Sequence, residues 1–259
     1  MSQLRLWYAD EVYANLVLQI RWRVNLAKAI QACSSAARLC NTISSQRSSA
    51  VSTQTPTRKE AATAMIPLWL KIAYNLFVCV LVPIYWRQYG PANFLWFSDI
   101  ALLALVAALW LESPLLVSMM ALAVLLPELA WNVDYFFRLA TGVSLIGLTN
   151  YMFDTSIPWF IRGLSLFHVA LPILLIWMLH RLGYDRRALL WQTIVAAVVL
   201  PLSYLFSNPR DNVNWVYGFG EQQQTMIPGP LFVLCLMVMF PLVVYLPMHL
   251  LLDRLFDRS

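Results

Sequence analysis

The sequence predicts an all-α protein, a polytopic transmembrane helical bundle of about seven spans. Three observations carry this. From Ile66 onward apolar stretches recur, most of them long enough for the roughly 20 residues that a span needs. Of 259 residues, 60% are hydrophobic and 12% charged. A soluble domain carries about 25% charged residues, so a soluble core of this size would lack the shell to cover it. The charges are also segregated: residues 1–64 hold eight of the 18 Lys and Arg but three of the 13 acids, and the remainder balances ten against ten.

The first element is the tail, residues 1–64. No acid occurs between Glu11 and Glu60, while Arg21, Arg23, Lys28, Arg38, Arg47 and Arg58 accumulate and Ser and Thr crowd residues 44–57. Its first half has an apolar stripe at helical spacing, and its second half has the composition of a flexible, disordered linker. Three readings fit: upstream sequence from a start placed too early, making the tail non-native; a genuine amphipathic tail; or an organelle transit peptide, which shares this composition.

The spans expected are residues 66–86, 94–111, 114–131, 136–153, 158–179, 188–206 and 227–252. Trp86, Trp110, Trp131, Trp159, Trp177 and Trp191 fall near their ends, where amphipathic rings favour the interface. The loop at residues 180–187 carries Arg181, Arg186 and Arg187, which the positive-inside rule places in the cytoplasm. With seven spans, Glu112, Asp154 and the loop at residues 208–224 then lie outside, and so does residue 66. That placement conflicts with a basic tail, so residues 1–64 are expected to be dispensable.

Ionisable groups in a span cost about 2.5 to 3.5 kcal/mol at a helix centre, which makes each a candidate for function. Asp99 lies 13 residues before Glu112 and Glu128 lies 15 after Ser113. Both therefore sit roughly 20 Å below the turn that joins their helices. Two carboxyls in low dielectric do not readily both ionise, as a proton relay or a cation site requires. The alternative is that each bonds a neighbouring helix and the two never meet. His168 has Ser165 one turn back and Pro172 one turn ahead. A Ser and His on one helix face suggest a nucleophile and its base, yet no acid is in sequence range to orient the imidazole. A neutral His bonded to another helix is the plainer reading. Asn150 and Asp154 stand one turn apart, and Asp211 and Asn214 lie in a loop rich in Asn, Gly and aromatics; these are candidate ligand contacts or simply turn-forming residues. Asp134 and Arg138 are spaced to pair, and Lys71 to snorkel outward. Cys33, Cys40, Cys79 and Cys235 form no CxxC pair, so no metal site and no cofactor is indicated.

Two functional classes and one structural class follow. Proton-coupled or small-solute transport would use Asp99 and Glu128. A membrane-embedded enzyme acting on lipid would use His168, Ser165 and the outer loop. An assembly protein would use the polar groups only to lock helices. The expected partners are the lipid bilayer and, for assembly, other membrane proteins; no basic stripe on a nucleic-acid fold supports DNA or RNA.

The stretches Tyr89-Gly90-Pro91-Ala92-Asn93-Phe94-Leu95-Trp96-Phe97-Ser98-Asp99, Pro127-Glu128-Leu129-Ala130-Trp131-Asn132 and Asp211-Asn212-Val213-Asn214-Trp215 resemble a family of uncharacterised bacterial multi-pass membrane proteins over residues 65–252. The resemblance implies a bacterial cytoplasmic (inner) membrane and carries no activity to any residue.

Overall fold

A computed structural model describes residues 66–220 and 223–256, and the tail lies outside the described residues. Helix α1 is Leu68–Tyr89, followed by a 3₁₀ turn, Pro91–Leu95. Then come α2, Phe97–Leu111, and α3, Pro114–Thr141. A short helix α4, Trp159–Leu164, leads into α5, Phe167–Leu182, and α6 is Ala188–Phe206. The last apolar stretch is α7, Gly229–Met239, a π-helical turn, Phe240–Tyr245, and α8, Leu246–Phe256. Among the described residues, five helical stretches are long and apolar enough to cross a membrane, and α2 is a sixth, shorter apolar helix.

Local sequence sets the breaks. Gly90 and Gly142 end α1 and α3 at φ 77° and 76°, a backbone region that favours a residue without Cβ. Between α2 and α3, Glu112 takes the left-handed conformation at φ 47°. Its carboxylate accepts from the backbone N–H of Ile66 at 3.3 Å and from Lys71 Nζ at 2.8 Å. Those bonds offset a backbone cost of roughly 1 to 2 kcal/mol. Lys71 is thus buried against Glu112 rather than snorkelling. Ser113 caps α3 by accepting from Leu116 N–H, and Pro114 occupies the first turn, where no backbone donor is needed.

The main departure from the sequence expectation is the fourth span. Residues 136–153 do not form one: α3 runs unbroken to Thr141, and residues 142–158 contain no α-helix. The polar run that looked like a loop, Asn132 to Asp134, is helical because both side chains find partners. Asn132 Nδ2 donates to Glu128 O and His168 O at 2.7 and 2.8 Å. Asp134 Oδ1 accepts from the backbone of Leu145, Ile146 and Gly147, and Oδ2 from the Thr149 backbone and hydroxyl, over 2.7 to 3.2 Å. The apolar segment after Gly142 is wrapped around a carboxylate and so does not propagate a helix. Asp134 does not take up the expected pairing with Arg138, which instead reaches Asn150.

α3 is the central helix. Residues 117–125 are buried without a gap, and it packs on α2, α5 and α6. The other long helices keep apolar outer faces, with Leu76, Val80, Leu190, Val198, Leu234 and Val238 exposed, the pattern of helices in contact with lipid.

The described residues pass six times between two ends, α2 being the shortest pass. One end gathers residue 66, the Glu112 turn, the loop at residues 183–187 and α8: Asp185 N–H donates to Ser118 Oγ at 2.9 Å, Tyr184 N–H to Phe256 O at 3.3 Å, and Arg186 pairs with Asp253 at 2.7 Å. At the other end, Asn214 joins the 3₁₀ turn and the start of α2 to α6. Residue 66 and the basic loop therefore share an end, and the reading of residues 1–64 falls outside the described residues. We expect reporter fusions ending at Ser113 and at Gly183 to read the same side, the cytoplasmic one, and a fusion at Gly220 the opposite side. Opposite readings at Ser113 and Gly183 would restore an odd number of spans between them.

Candidate functional site

The N-termini of α2 and α5 meet the second half of α3 near the end that carries Asn214. There the described chain gathers its densest set of buried polar groups. His168, in the first turn of α5, points Nδ1 at both oxygens of Glu128 on α3, at 3.0 and 2.8 Å. Glu128 is 2% exposed. The imidazole stacks on Trp131 at 4.8 Å between centroids and on Phe167 at 4.1 Å, which fixes its plane. Nδ1 is engaged by the carboxylate, so Nε2 is the ring nitrogen that Glu128 leaves free of its own contact.

The backbone locks this pair in place. Pro172 lies four residues after His168, so the helical N–H that would bond the His168 carbonyl is missing. Asn132 supplies that donor from α3. The acid that orients the imidazole, which no local spacing offered, comes from a helix 40 residues away.

Asp99 sits in the first turn of α2, 4% exposed. Its Oδ2 accepts from Asn93 Nδ2 at 3.0 Å. Its Oδ1 is buried with no hydrogen-bond partner among the described residues. Asp99 and Glu128 share no hydrogen bond in the set around them; Asp99 lies within electrostatic reach of both Glu128 and His168, and also of the Tyr85 and Tyr89 phenols. The two carboxyls therefore occupy one neighbourhood, with the histidine claimed by Glu128.

Ser165, at the break between α4 and α5, is 2.6 Å from the Tyr85 hydroxyl. Its hydroxyl is engaged by the Tyr85 and Tyr151 phenols and the Ile161 carbonyl, so the Ser–His arrangement of a nucleophile and base is not made in this geometry. Burial pushes the phenol of the loop residue Tyr151 up, so it stays protonated, and its hydroxyl reaches Ser165.

The remaining candidates lie elsewhere. Asn150 bonds Arg138 and Ser144. Asp154 caps a turn by accepting from Ser156 N–H at 2.8 Å, and that bond holds its carboxyl below the usual range. Asp211 is exposed in its loop. Asn214 is buried and saturated: Oδ1 accepts from Phe97 N–H at 3.1 Å, and Nδ2 donates to Leu95 O at 2.7 Å and Ser203 Oγ at 3.0 Å. Those bonds hold Asn212, Asn214 and Trp215 at φ 44°, 54° and 57°, conformations that L residues rarely adopt. His249 meets the Tyr184 hydroxyl at 2.7 Å at the opposite end of the bundle. Among the described residues no three His, Cys, Asp or Glu side chains converge as metal ligands.

No family model, no curated protein and no solved structure matches this chain. The described residues are all-helical, and their long apolar helices are those of a membrane protein.

We expect Asp134→Ala to cost on the order of 3 kcal/mol, because it strands buried backbone donors that now bond a charged acceptor. The check is a lowered Tm with faster amide exchange confined to residues 145–149. Unchanged exchange there would show that the loop holds without the carboxylate.

Proposed function

We propose that the protein is a carrier of the bacterial cytoplasmic membrane that couples proton binding at Asp99, Glu128 and His168 to the movement of a small solute. The observation that supports this is the placement of two carboxyls and an imidazole, all largely withdrawn from solvent, in one neighbourhood of the bundle. Low dielectric disfavours net charge. The set holds an extra proton or a compensating cation more easily than two bare carboxylates, and changes in solvent access on opposite sides convert that preference into uptake and release. The resemblance noted in the sequence and the cluster of arginines at residues 181–187 support the bacterial location and the cytoplasmic side.

The bonding pattern argues against a purely structural role. Asp134 and Asn214 lock the fold and have every acceptor engaged, whereas Asp99 keeps a buried oxygen without a partner. A lipid-modifying enzyme is the second reading, supported by the way Glu128 orients His168 as a general base. It lacks a nucleophile in place, since the Ser165 hydroxyl is taken by Tyr85.

Infrared spectra of the purified protein in lipid should show a protonated-carboxyl band that weakens as pH rises and is lost in Asp99→Asn combined with Glu128→Gln. Dye-loaded proteoliposomes challenged with a panel of amines, amino acids, carboxylates and sugars should show solute-triggered proton movement that Glu128→Gln slows at least about tenfold, one tenfold step being 1.36 kcal/mol. Carboxyls that remain ionised throughout, with no proton movement for any solute, would sink the proposal.

A further inference from the structure

We propose that Asp99 is the seat of a small organic cation, an alkylammonium group, which exchanges there for a proton. This rests on the transport reading above and names the class of solute.

Glu128 has a partner of its own in His168, and in its neutral form that pair needs nothing more. Asp99 does. Its Oδ2 is held by an uncharged donor, the Asn93 amide, and its Oδ1 is buried without a partner. A carboxylate so placed requires one positive charge, either a proton on the oxygen or a cation beside it. Both compensate the same single charge, so they exclude each other.

The surroundings select the kind of cation. A metal ion such as Ca²⁺ or Mg²⁺ takes six or more oxygen ligands, and no metal-binding group of acids and histidines occurs among the described residues. The Asn93 amide of the 3₁₀ turn bonds Asp99, and the Tyr85 and Tyr89 phenols of α1, Glu128 of α3 and His168 of α5 lie within electrostatic reach of it. The Tyr85 and Tyr89 rings meet edge to face at 5.3 Å. A carboxylate with aromatic side chains in its neighbourhood suits an ammonium group, since rings attract a weakly hydrated cation that a lone carboxylate would not retain. Tyr89 and Asn93 are half-buried, so they connect Asp99 with the surface at this end of the bundle.

The exchange balances. Protonated Asp99 loses its proton to solution past Tyr89 and Asn93, the carboxylate so formed accepts the N–H or the positive methyl face of the ammonium, and the site keeps the same net charge before and after. One proton leaves for each cation bound.

The test uses the full chain in lipid nanodiscs, with methylammonium and choline as probes, sodium chloride as the inorganic comparison and 3,3-dimethylbutan-1-ol as the uncharged shape of choline. Binding is read by calorimetry and by proton release in weak buffer. We expect at least one of the two cations to bind with release of up to one proton, weakening up to tenfold per unit of acidification, and neither the alcohol nor sodium to compete. Asp99→Asn should abolish binding. Tyr89→Ala, at a half-buried position where folding is least at risk, should weaken it about fivefold. Binding that survives Asp99→Asn, equal binding of the alcohol, or displacement by sodium at equal concentration would overturn the inference. If Asp99→Asn fails to fold, full affinity in Tyr89→Ala would overturn it. No cation binding in a protein whose carboxyl band still titrates would reject this inference and leave the proton reading standing; loss of both would reject the two together.

Discussion

The structure depends on a single constraint: a polar group on a helix inside a bilayer must find its partner within the protein. α3 carries three such groups on its second half, Glu128, Asn132 and Asp134. Each is satisfied by a different part of the chain. Glu128 draws in His168, Asn132 takes the carbonyl that Pro172 leaves open, and Asp134 collects the loop that follows its own helix. Lipid tails are as apolar as leucine, so burial alone gives helices little reason to prefer one another to lipid. These bonds supply a specific reason, and they fix where α5 begins and which way its first turn faces.

The same bonds separate saturated polar groups from an unsaturated one. The Asp134 carboxylate accepts five hydrogen bonds and the Asn214 amide makes three. Neither has capacity left for a ligand. Asp99 has one bond and one bare oxygen in a buried position. In an interior where an unsatisfied group is expensive, that imbalance is the feature on which the proposed carrier reading rests.

The helical, membrane-spanning character was legible because hydropathy reports it directly, and α1, α2, α6 and the final stretch fall close to where apolar runs place them. The span count was not. A window containing Trp131, Asn132, Asp134 and Arg138 reads as a break, since hydropathy sees the polarity of Asn132 and Asp134 and not the donors and acceptors that await them. Asp99, Glu128 and His168 stood out as costly residues, yet their grouping was only half visible. The shared depth of Asp99 and Glu128 followed from counting residues along a helical hairpin, whereas the Glu128–His168 contact depends on helix rotation. The one local clue was Pro172, whose missing N–H announces an open carbonyl at His168 and hence a donor arriving from another helix. Tyr85, Asn93 and Tyr151 carried no such signal, since phenols and amides near span ends are ordinary.

The length of α3 has a consequence for the lipid around it. Its 28 residues extend about 42 Å, against a hydrocarbon core of roughly 30 Å. Counted from Pro114, about 30 Å of helix is used up near the turn that bears Asp134. A thicker bilayer draws that turn toward the acyl chains, and a thinner one lets it stand clear or tilts the helix. Because Glu128 and Asn132 ride on the same rigid rod, the acid–histidine cluster moves with it, and membrane thickness becomes a mechanical variable acting on the site.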